Sequence, residues 1–316
     1  MAHSELSQPL VFDPIFMERI WGGRRLESDF GKRLPAHRKI GEAWEIVDRP
    51  EAQSVVRDGP LRGQTLHELW INHRSEIFGR VQDAPRFPLL IKLLDAHDKL
   101  SLQVHPPAHV AERLGGEPKT EFWYVAKANP GAELFAGLRE ATSAHDFKTS
   151  ITEGTVADRI HAIPVKAGDA MFLPAGRFHA IGAGNLLVEI QQNSDSTYRV
   201  FDWNRTDSNG QPRDLHIDLA MQSIDFTDCK PELAMPSGEV LVTHELFEVQ
   251  KWTIDEPRKI NDHGKFAILC VLEGAIDCAG RHLQAGNFCL IPAQLEDRTI
   301  RPSEKKASLL RITIPV

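Results

Sequence analysis

Residues 168–179, GDAMFLPAGRFH, constrain the fold of this chain more than any other stretch. Ala170-Met171-Phe172-Leu173 suffices for one short apolar strand. Gly168-Asp169 and Ala175-Gly176 supply turn chemistry on either side of it. Pro174 ends the ladder, because it has no N–H to donate. The chain then turns back through Phe178-His179-Ala180-Ile181, so the spacing predicts a hairpin that aims His179 into the space between two sheets. A turn followed by an ordinary core histidine has the same pattern. The decision rests on whether the chain supplies further ligands.

Upstream it does. Residues 88–94 are an apolar run interrupted by Lys92, which predicts a buried strand. Residues 101–105, Ser-Leu-Gln-Val-His, predict the next one. Strand side chains alternate, so Ser101, Gln103 and His105 share one face while Leu102 and Val104 pack on the other. In the strand expected at 119–125, Lys119 and Glu121 share a face for the same reason. Residues 186–191 and 197–203 are further strands, joined by a polar turn at Asn193-Ser194-Asp195. Glu189 and Arg199 each stand in apolar surroundings there, so each must pair or line a cavity. The inward candidates are Gln103, His105, Glu121 and His179. Two imidazoles, a carboxylate and an amide oxygen suit zinc, iron, manganese or cobalt, and the absence of thiolate argues against a structural zinc site. An open coordination position would remain for water or substrate.

Helical spacing is confined to short segments. Thr65 and Glu68 form a capping box ahead of Leu66, Leu69, Trp70, His73 and Ile77 on one face, and Gly79 can stop the helix. A helical turn or two is expected between Pro107 and Gly115. Residues 142–160 predict two short helices broken at Gly154, with Thr142 or Ser143 as cap. The acidic, proline-containing stretch 225–240 is the expected domain linker, and 206–212 an expected loop. Beyond it, residues 285–293 echo residues 167–175 at an offset of 118. That offset carries His179 onto Asp297, and the second copy has no Gln-x-His strand. The C-terminal unit is thus expected to repeat the fold without the same metal site.

A chain of 316 residues accommodates one large or two ordinary domains. Its net charge of −7 argues against nucleic acid or an acidic membrane surface as main partner. It leaves room for an anionic small substrate in a local basic pocket. No apolar run has the length of a membrane span, and the N-terminal residues lack signal-peptide character. The four cysteines show no CxxC spacing, and three lie in strand-like runs. They are expected to be reduced core residues in a cytoplasmic protein.

The motif at 168–179 resembles the second motif of the cupins, small antiparallel barrels that hold one metal ion. Together with LSLQVHP around Gln103, KTEFWY around Glu121, the Trp21-Gly22-Gly23 and Gly41-Glu42-Ala43-Trp44-Glu45 segments and residues 194–205, it resembles the type I mannose-6-phosphate isomerases in their short bacterial form. His97 and Phe122 depart from that pattern, where Asn and Cys are common. The resemblance implies a mainly β fold of two cupin-like antiparallel β-barrels (a bicupin) with a few inserted short helices. Residues 1–235 would be the catalytic metal-binding domain and 236–316 a metal-free barrel. It also implies one Zn²⁺ held by Gln103, His105, Glu121 and His179, and catalysis by Arg199 with Lys119. A sugar phosphate would lie near Ser101, Lys119 and Glu189. The implied reaction moves a proton between C1 and C2 of an open-chain sugar through an enediol, with Glu189 or a metal-bound hydroxide as possible base. Two other functions fit part of the pattern. His105, Glu121 and His179 also make the two-histidine, one-carboxylate triad of non-haem iron oxygenases, and a non-catalytic sugar-binding bicupin would keep the fold alone.

Overall fold

Largely apolar strands such as Leu89–Ala96 and Ala307–Thr313 bury both faces and alternating ones such as Phe247–Ile254 bury one, and the result is a stack of antiparallel sheets. The computed structural model describes residues 6–206, 210–261 and 264–315, so part of the loop expected at 206–212 lies outside the described residues. A six-stranded sheet runs in the order Ile15–Gly23, Ile40–Ile46, Leu89–Ala96, Asn185–Gln192, Glu121–Ala128, Ala170–Leu173. A five-stranded sheet runs Tyr198–Phe201, Leu102–Val104, His179–Ile181, Glu133–Leu138, Ile160–Pro164. Trp123, Leu94 and Leu187 from the first share a core with Leu134, Ala136 and Ile181 from the second, so the two sheets face each other.

The C-terminal part has its own five-stranded sheet, in the order Val240–His244, Phe247–Ile254, Ala307–Thr313, Ala267–Glu273, Phe288–Ile291. Opposite it stands a four-stranded sheet, Arg258–Lys259, Thr299–Pro302, Ala275–Cys278, Arg281–Gln284. None of these sheets closes into a barrel. Each ends in edge strands, and its apolar faces are covered by neighbouring sheets. The chain is therefore mainly β and antiparallel.

The layering explains the strand Leu89–Ala96, whose eight residues are all buried. Leu89, Ile91 and Leu93 pack in one core with Phe247, Val249, Ile268 and Leu310 of the C-terminal sheet. Leu94 packs on the opposite side, toward the five-stranded sheet. One continuous core therefore includes residues from both halves of the chain. Leu10 and Leu290 add a mutual pair of backbone hydrogen bonds at 2.8 Å each. The acidic stretch 225–240 runs along the N-terminal half, with Asp225, Lys230 and Ala234 donating backbone bonds to Gly176, Leu138 and Ala170.

The echo around residues 168 and 286 is structural. Gly168 and Gly286 both turn with positive φ, 96° and 82°, a conformation that favours glycine. Each precedes an edge strand of the larger sheet of its half. Disregarding the extra strand Ile15–Gly23, the larger sheets of the two halves follow one pattern: first, second, fifth, third and fourth strand of the set. Disregarding Tyr198–Phe201, the smaller sheets follow first, fourth, second, third. The strand order of the second half thus repeats that of the first.

The two strands of the 168–179 motif do not form the expected hairpin. Ala170–Leu173 pairs with Glu121–Ala128 in the six-stranded sheet, whereas His179–Ile181 pairs with Leu102–Val104 and Glu133–Leu138 in the five-stranded one. Pro174 cannot extend the first ladder, and Gly176, at φ 96°, turns the chain across to the opposite sheet. The Gly176 N–H donates to the His105 carbonyl at 2.9 Å, which fixes the crossing.

The helix starts follow their local signals, but the helix expected to run through Ile77 ends at Asn72 and is followed by a π-helical turn, Arg74–Phe78, closed at Gly79. Thr65 and Glu68 cap the helix Leu66–Asn72 reciprocally. Helix Ala144–Thr152 starts at Ser143, and a separate 3-10 turn, Val156–Arg159, follows Gly154. Short helices at Ala108–Ala111 and Glu112–Leu114 occupy the expected turn. All four cysteines are free, and Cys270, Cys278 and Cys289 are buried. Among the described residues no helix is long and apolar enough to cross a membrane.

Candidate metal centre

The register of the facing sheets brings the polar candidates together. In the five-stranded sheet His179 and Arg199 are the cross-strand neighbours of Gln103, one on either side. His105 follows the same strand, one residue past Val104. Glu121 projects from the opposite sheet, where Leu173 and Gln191 flank it. His105, Glu121 and His179 are all buried, and one ligand atom from each lies within 4.8 Å of the others.

The ring nitrogens are oriented. His105 Nδ1 donates to the Ser196 carbonyl at 2.7 Å, and His179 Nδ1 donates to the Arg177 carbonyl at 2.9 Å. Both Nε2 lone pairs are thereby left for the centre. His105 Nε2 stands 3.2 Å from Glu121 Oε1, and His179 Nε2 3.9 Å from Glu121 Oε2. Burial and then the Lys119 charge lower the His105 pKa, while burial, followed by the His105 charge and that of Lys119, lowers His179 to about 3. Burial would raise Glu121, but Lys119 and His105 outweigh it and hold the carboxyl well below its ordinary value. Two neutral imidazoles and a carboxylate thus converge, and His105 Nε2 and both Glu121 oxygens are buried without a hydrogen bond. Acceptor atoms facing one another in that way fit a bound cation.

Gln103 is adjacent but turned. Its Nε2 donates to His179 Nε2 at 3.4 Å, while its Oε1 accepts from Ser101 Oγ at 3.1 Å. A half-turn of the amide exchanges the two atoms and presents the oxygen to the centre. Lys119 Nζ lies 3.2 Å from Glu121 Oε1. All of these groups except His105 line a cavity of about 450 Å³, with Glu189, Lys92 and Arg199 also on its wall. Arg199 Nη1 donates to the Asp214 carbonyl at 2.8 Å, and its Nε is buried without a hydrogen bond. Burial and the nearby Arg213 guanidinium lower the Arg199 pKa.

Glu189 both pairs and lines the cavity. It accepts from Trp123 Nε1 at 2.9 Å and lies 3.1 Å from Lys92 Nζ, its direct cross-strand neighbour. Burial, followed by the Glu121 charge, raises its pKa. Sequence reasoning missed the rest of this network. Glu42 accepts from Arg19 Nε at 2.9 Å and from Trp44 Nε1 at 2.6 Å, and lies 3.8 Å from Lys92. The lone lysine in an apolar run was the available signal, but its partners depend on strand order. Arg19, Glu42 and Arg213 all reach the cavity wall.

That network makes stability depend on pH. Burial would raise Glu42, yet Lys92 and Arg19 hold it at about 2, below the ordinary 4.5. A depressed folded-state value stabilises the fold above the ordinary value, and the contribution is lost as pH falls from 4.5 toward 2. Glu42→Gln is expected to cost about 3 kcal/mol at neutral pH, since Lys92 keeps Glu189. Urea unfolding of both proteins across pH should show the difference shrinking between 4.5 and 2. A difference constant over that range would contradict the assignment.

The comparisons with known proteins converge. The family model of the phosphomannose isomerase type I catalytic domain matches residues 10–149. The mannose-6-phosphate isomerase of Streptococcus mutans is 41% identical over 279 residues, covering 85% of this chain and 86% of that protein. Mannose-6-phosphate isomerase ManA of Bacillus subtilis is 37% identical over 277 residues, with 85% and 86% covered. The crystal structure of the mannose 6-phosphate isomerase from Bacillus subtilis superimposes with a TM-score of 0.87 at 36% identity, covering 97% of this chain and 100% of that one. A mannose 6-phosphate isomerase bound with zinc and yttrium shares the fold at a TM-score of 0.75 and 17% identity, over 98% and 100% of the two chains. With such identity sustained along most of its length, this chain belongs to the type I phosphomannose isomerase family.

Proposed function

We propose that the chain is a metal-dependent aldose–ketose isomerase that interconverts mannose 6-phosphate and fructose 6-phosphate through an enediol. One observation carries this beyond family membership. Glu121 and two oriented histidines converge on a cavity whose wall also bears Lys92, Lys119 and Arg199. A ligand set for one divalent ion beside several cations suits an anionic sugar better than oxygen chemistry. Gln103, His105, Glu121 and His179 would hold one Zn²⁺ per chain. When bound, the ion supplies Lewis-acid polarisation of the sugar's carbonyl or hydroxyl oxygens.

The chain's own groups do the rest. Arg199 stays charged at working pH and can stabilise negative charge on the enediolate oxygen. Lys119, held against Glu121, can orient the substrate and donate a hydrogen bond as the proton moves. Ser101 can bond a sugar hydroxyl through its Oγ. Glu189, with its raised pKa, can accept a substrate hydroxyl hydrogen bond or a proton. The two halves are read as cupin-type units, residues 1–235 catalytic and 236–316 without a metal. The free, mostly buried cysteines suit a reducing cytoplasm.

The test is an assay on mannose 6-phosphate coupled to fructose 6-phosphate formation. Arg199→Ala is expected to lower kcat by about a hundredfold or more while metal content stays at the wild-type level. Unchanged turnover in that variant would remove Arg199 from the chemistry, and absence of turnover in the metal-loaded wild type would overturn the isomerase assignment.

A further inference from the structure

The repeated strand order gives the catalytic cavity a counterpart in the second half. A cavity of about 450 Å³ opens there beside strands Phe247–Ile254, Ala307–Thr313 and Arg258–Lys259. These occupy the places that Leu89–Ala96, Asn185–Gln192 and Leu102–Val104 hold in the first half. Equivalence can be traced residue by residue through the ladders. The offset of 118 carries Met171 onto Cys289. Met171 pairs with Trp123, which pairs with Glu189, which pairs with Lys92. Cys289 pairs with Leu269, which pairs with Arg311, which pairs with Gln250. Arg311 therefore stands where Glu189 stands, and Gln250 where Lys92 stands. By the same ladders Ala267 replaces the ligand Glu121, since Ile291 pairs with it as Leu173 pairs with Glu121.

The second cavity has thus exchanged the Glu189 carboxylate for the Arg311 guanidinium and the Glu121 carboxylate for a methyl group. Arg311 is only 5% exposed. The Arg258 guanidinium carbon lies over the Trp252 ring, 3.6 Å from its centroid, and the indole donates to Gln250 at 2.8 Å. Lys259 adds a third cation. Among the described lining residues one carboxylate faces them, Glu248, 3.5 Å from Arg311, while Glu239 grips Arg258 through both oxygens at 2.6 and 2.8 Å. Among the described residues three cations thus face two carboxylates beside the Trp252 ring, in a chain of net charge −7. Planar guanidinium groups held in that way match the oxygens of a phosphate group.

We infer that this second cavity is a binding site for a small oxyanion, free phosphate or the phosphate group of a phosphorylated metabolite. The inference is independent of the role assigned to the metal centre, because no residue is shared between the two cavities. The metal-loaded full chain should be titrated calorimetrically with inorganic phosphate and, separately, with fructose 6-phosphate. With at least one of these probes, the site is expected as a binding event that survives Arg199→Ala and is weakened about tenfold by Lys259→Glu or Arg258→Gln. Binding of both probes would identify the phosphate group alone as the ligand, and binding of fructose 6-phosphate alone a phosphorylated sugar. Lys259 is exposed, so its variant should melt as the wild type does even if Arg258→Gln is destabilised. If neither probe shows a binding event that survives Arg199→Ala and responds to Lys259→Glu, the inference fails.

Discussion

Glu121→Ala is expected to lower kcat/KM by about a thousandfold or more and to empty the metal centre. Glu121 is the one anionic group among the proposed ligands, and both of its oxygens are buried without hydrogen bonds. Its removal leaves two neutral imidazoles and an amide, a set that binds a divalent ion far more weakly. It also strips Lys119 of its partner at 3.2 Å. Breaking a buried pair costs about 3–5 kcal/mol, so thermal unfolding must accompany the assay. Glu121→Gln keeps the shape and separates the two effects, since it should remain folded while losing metal and turnover. A folded Glu121→Gln protein with full metal content and activity within tenfold of wild type would contradict the assignment.

Phe266→Ala is expected to destabilise the fold by about 3–5 kcal/mol. The Phe266 ring is 1% exposed and packs edge-on against Phe78 and Phe87, at centroid distances of 5.6 and 5.7 Å. Those two rings in turn surround Trp70 of the helix Leu66–Asn72, at 4.8 and 5.5 Å. Truncating Phe266 opens a cavity in the core shared by the two halves, where covering sheets leave little room for collapse. Phe266 does not line the cavity beside the candidate metal centre. Urea unfolding should therefore show the loss while kcat at a permissive temperature stays near wild type. A loss below about 1 kcal/mol would mean that the aromatic cluster does not tie the halves together.

How far these features were legible depends on the distance over which each is encoded. The capping box at Thr65 and Glu68 spans four residues and was readable. Lys119 and Glu121 do meet, at 3.2 Å, but the strand expected from Lys119 begins only at Glu121, so alternation alone does not set that pair. The echo of residues 167–175 was readable because a turn with positive φ favours glycine, and Gly168 and Gly286 kept it. Sheet membership was not. Ala170–Leu173 and His179–Ile181 are near neighbours in the chain, yet each finds its pairing partners on strands much earlier in it. A proline and a glycine between them permit a hairpin or a crossing equally. Lys92 was visible as an interruption, but its contacts with Glu42 and Glu189 depend on the register of three strands. Arg213 and Arg19 gave no local signal, because a charged residue in a polar segment reads as surface until the fold turns it toward a cavity.

The most direct test of the metal assignment is a crystal of the zinc-loaded protein with diffraction recorded on both sides of the zinc absorption edge. The expected result is one anomalous peak per chain, about 2.0–2.2 Å from His105 Nε2, His179 Nε2 and a Glu121 oxygen, with the Gln103 amide turned to present its oxygen. A peak elsewhere, or none in protein that turns over mannose 6-phosphate, would contradict it.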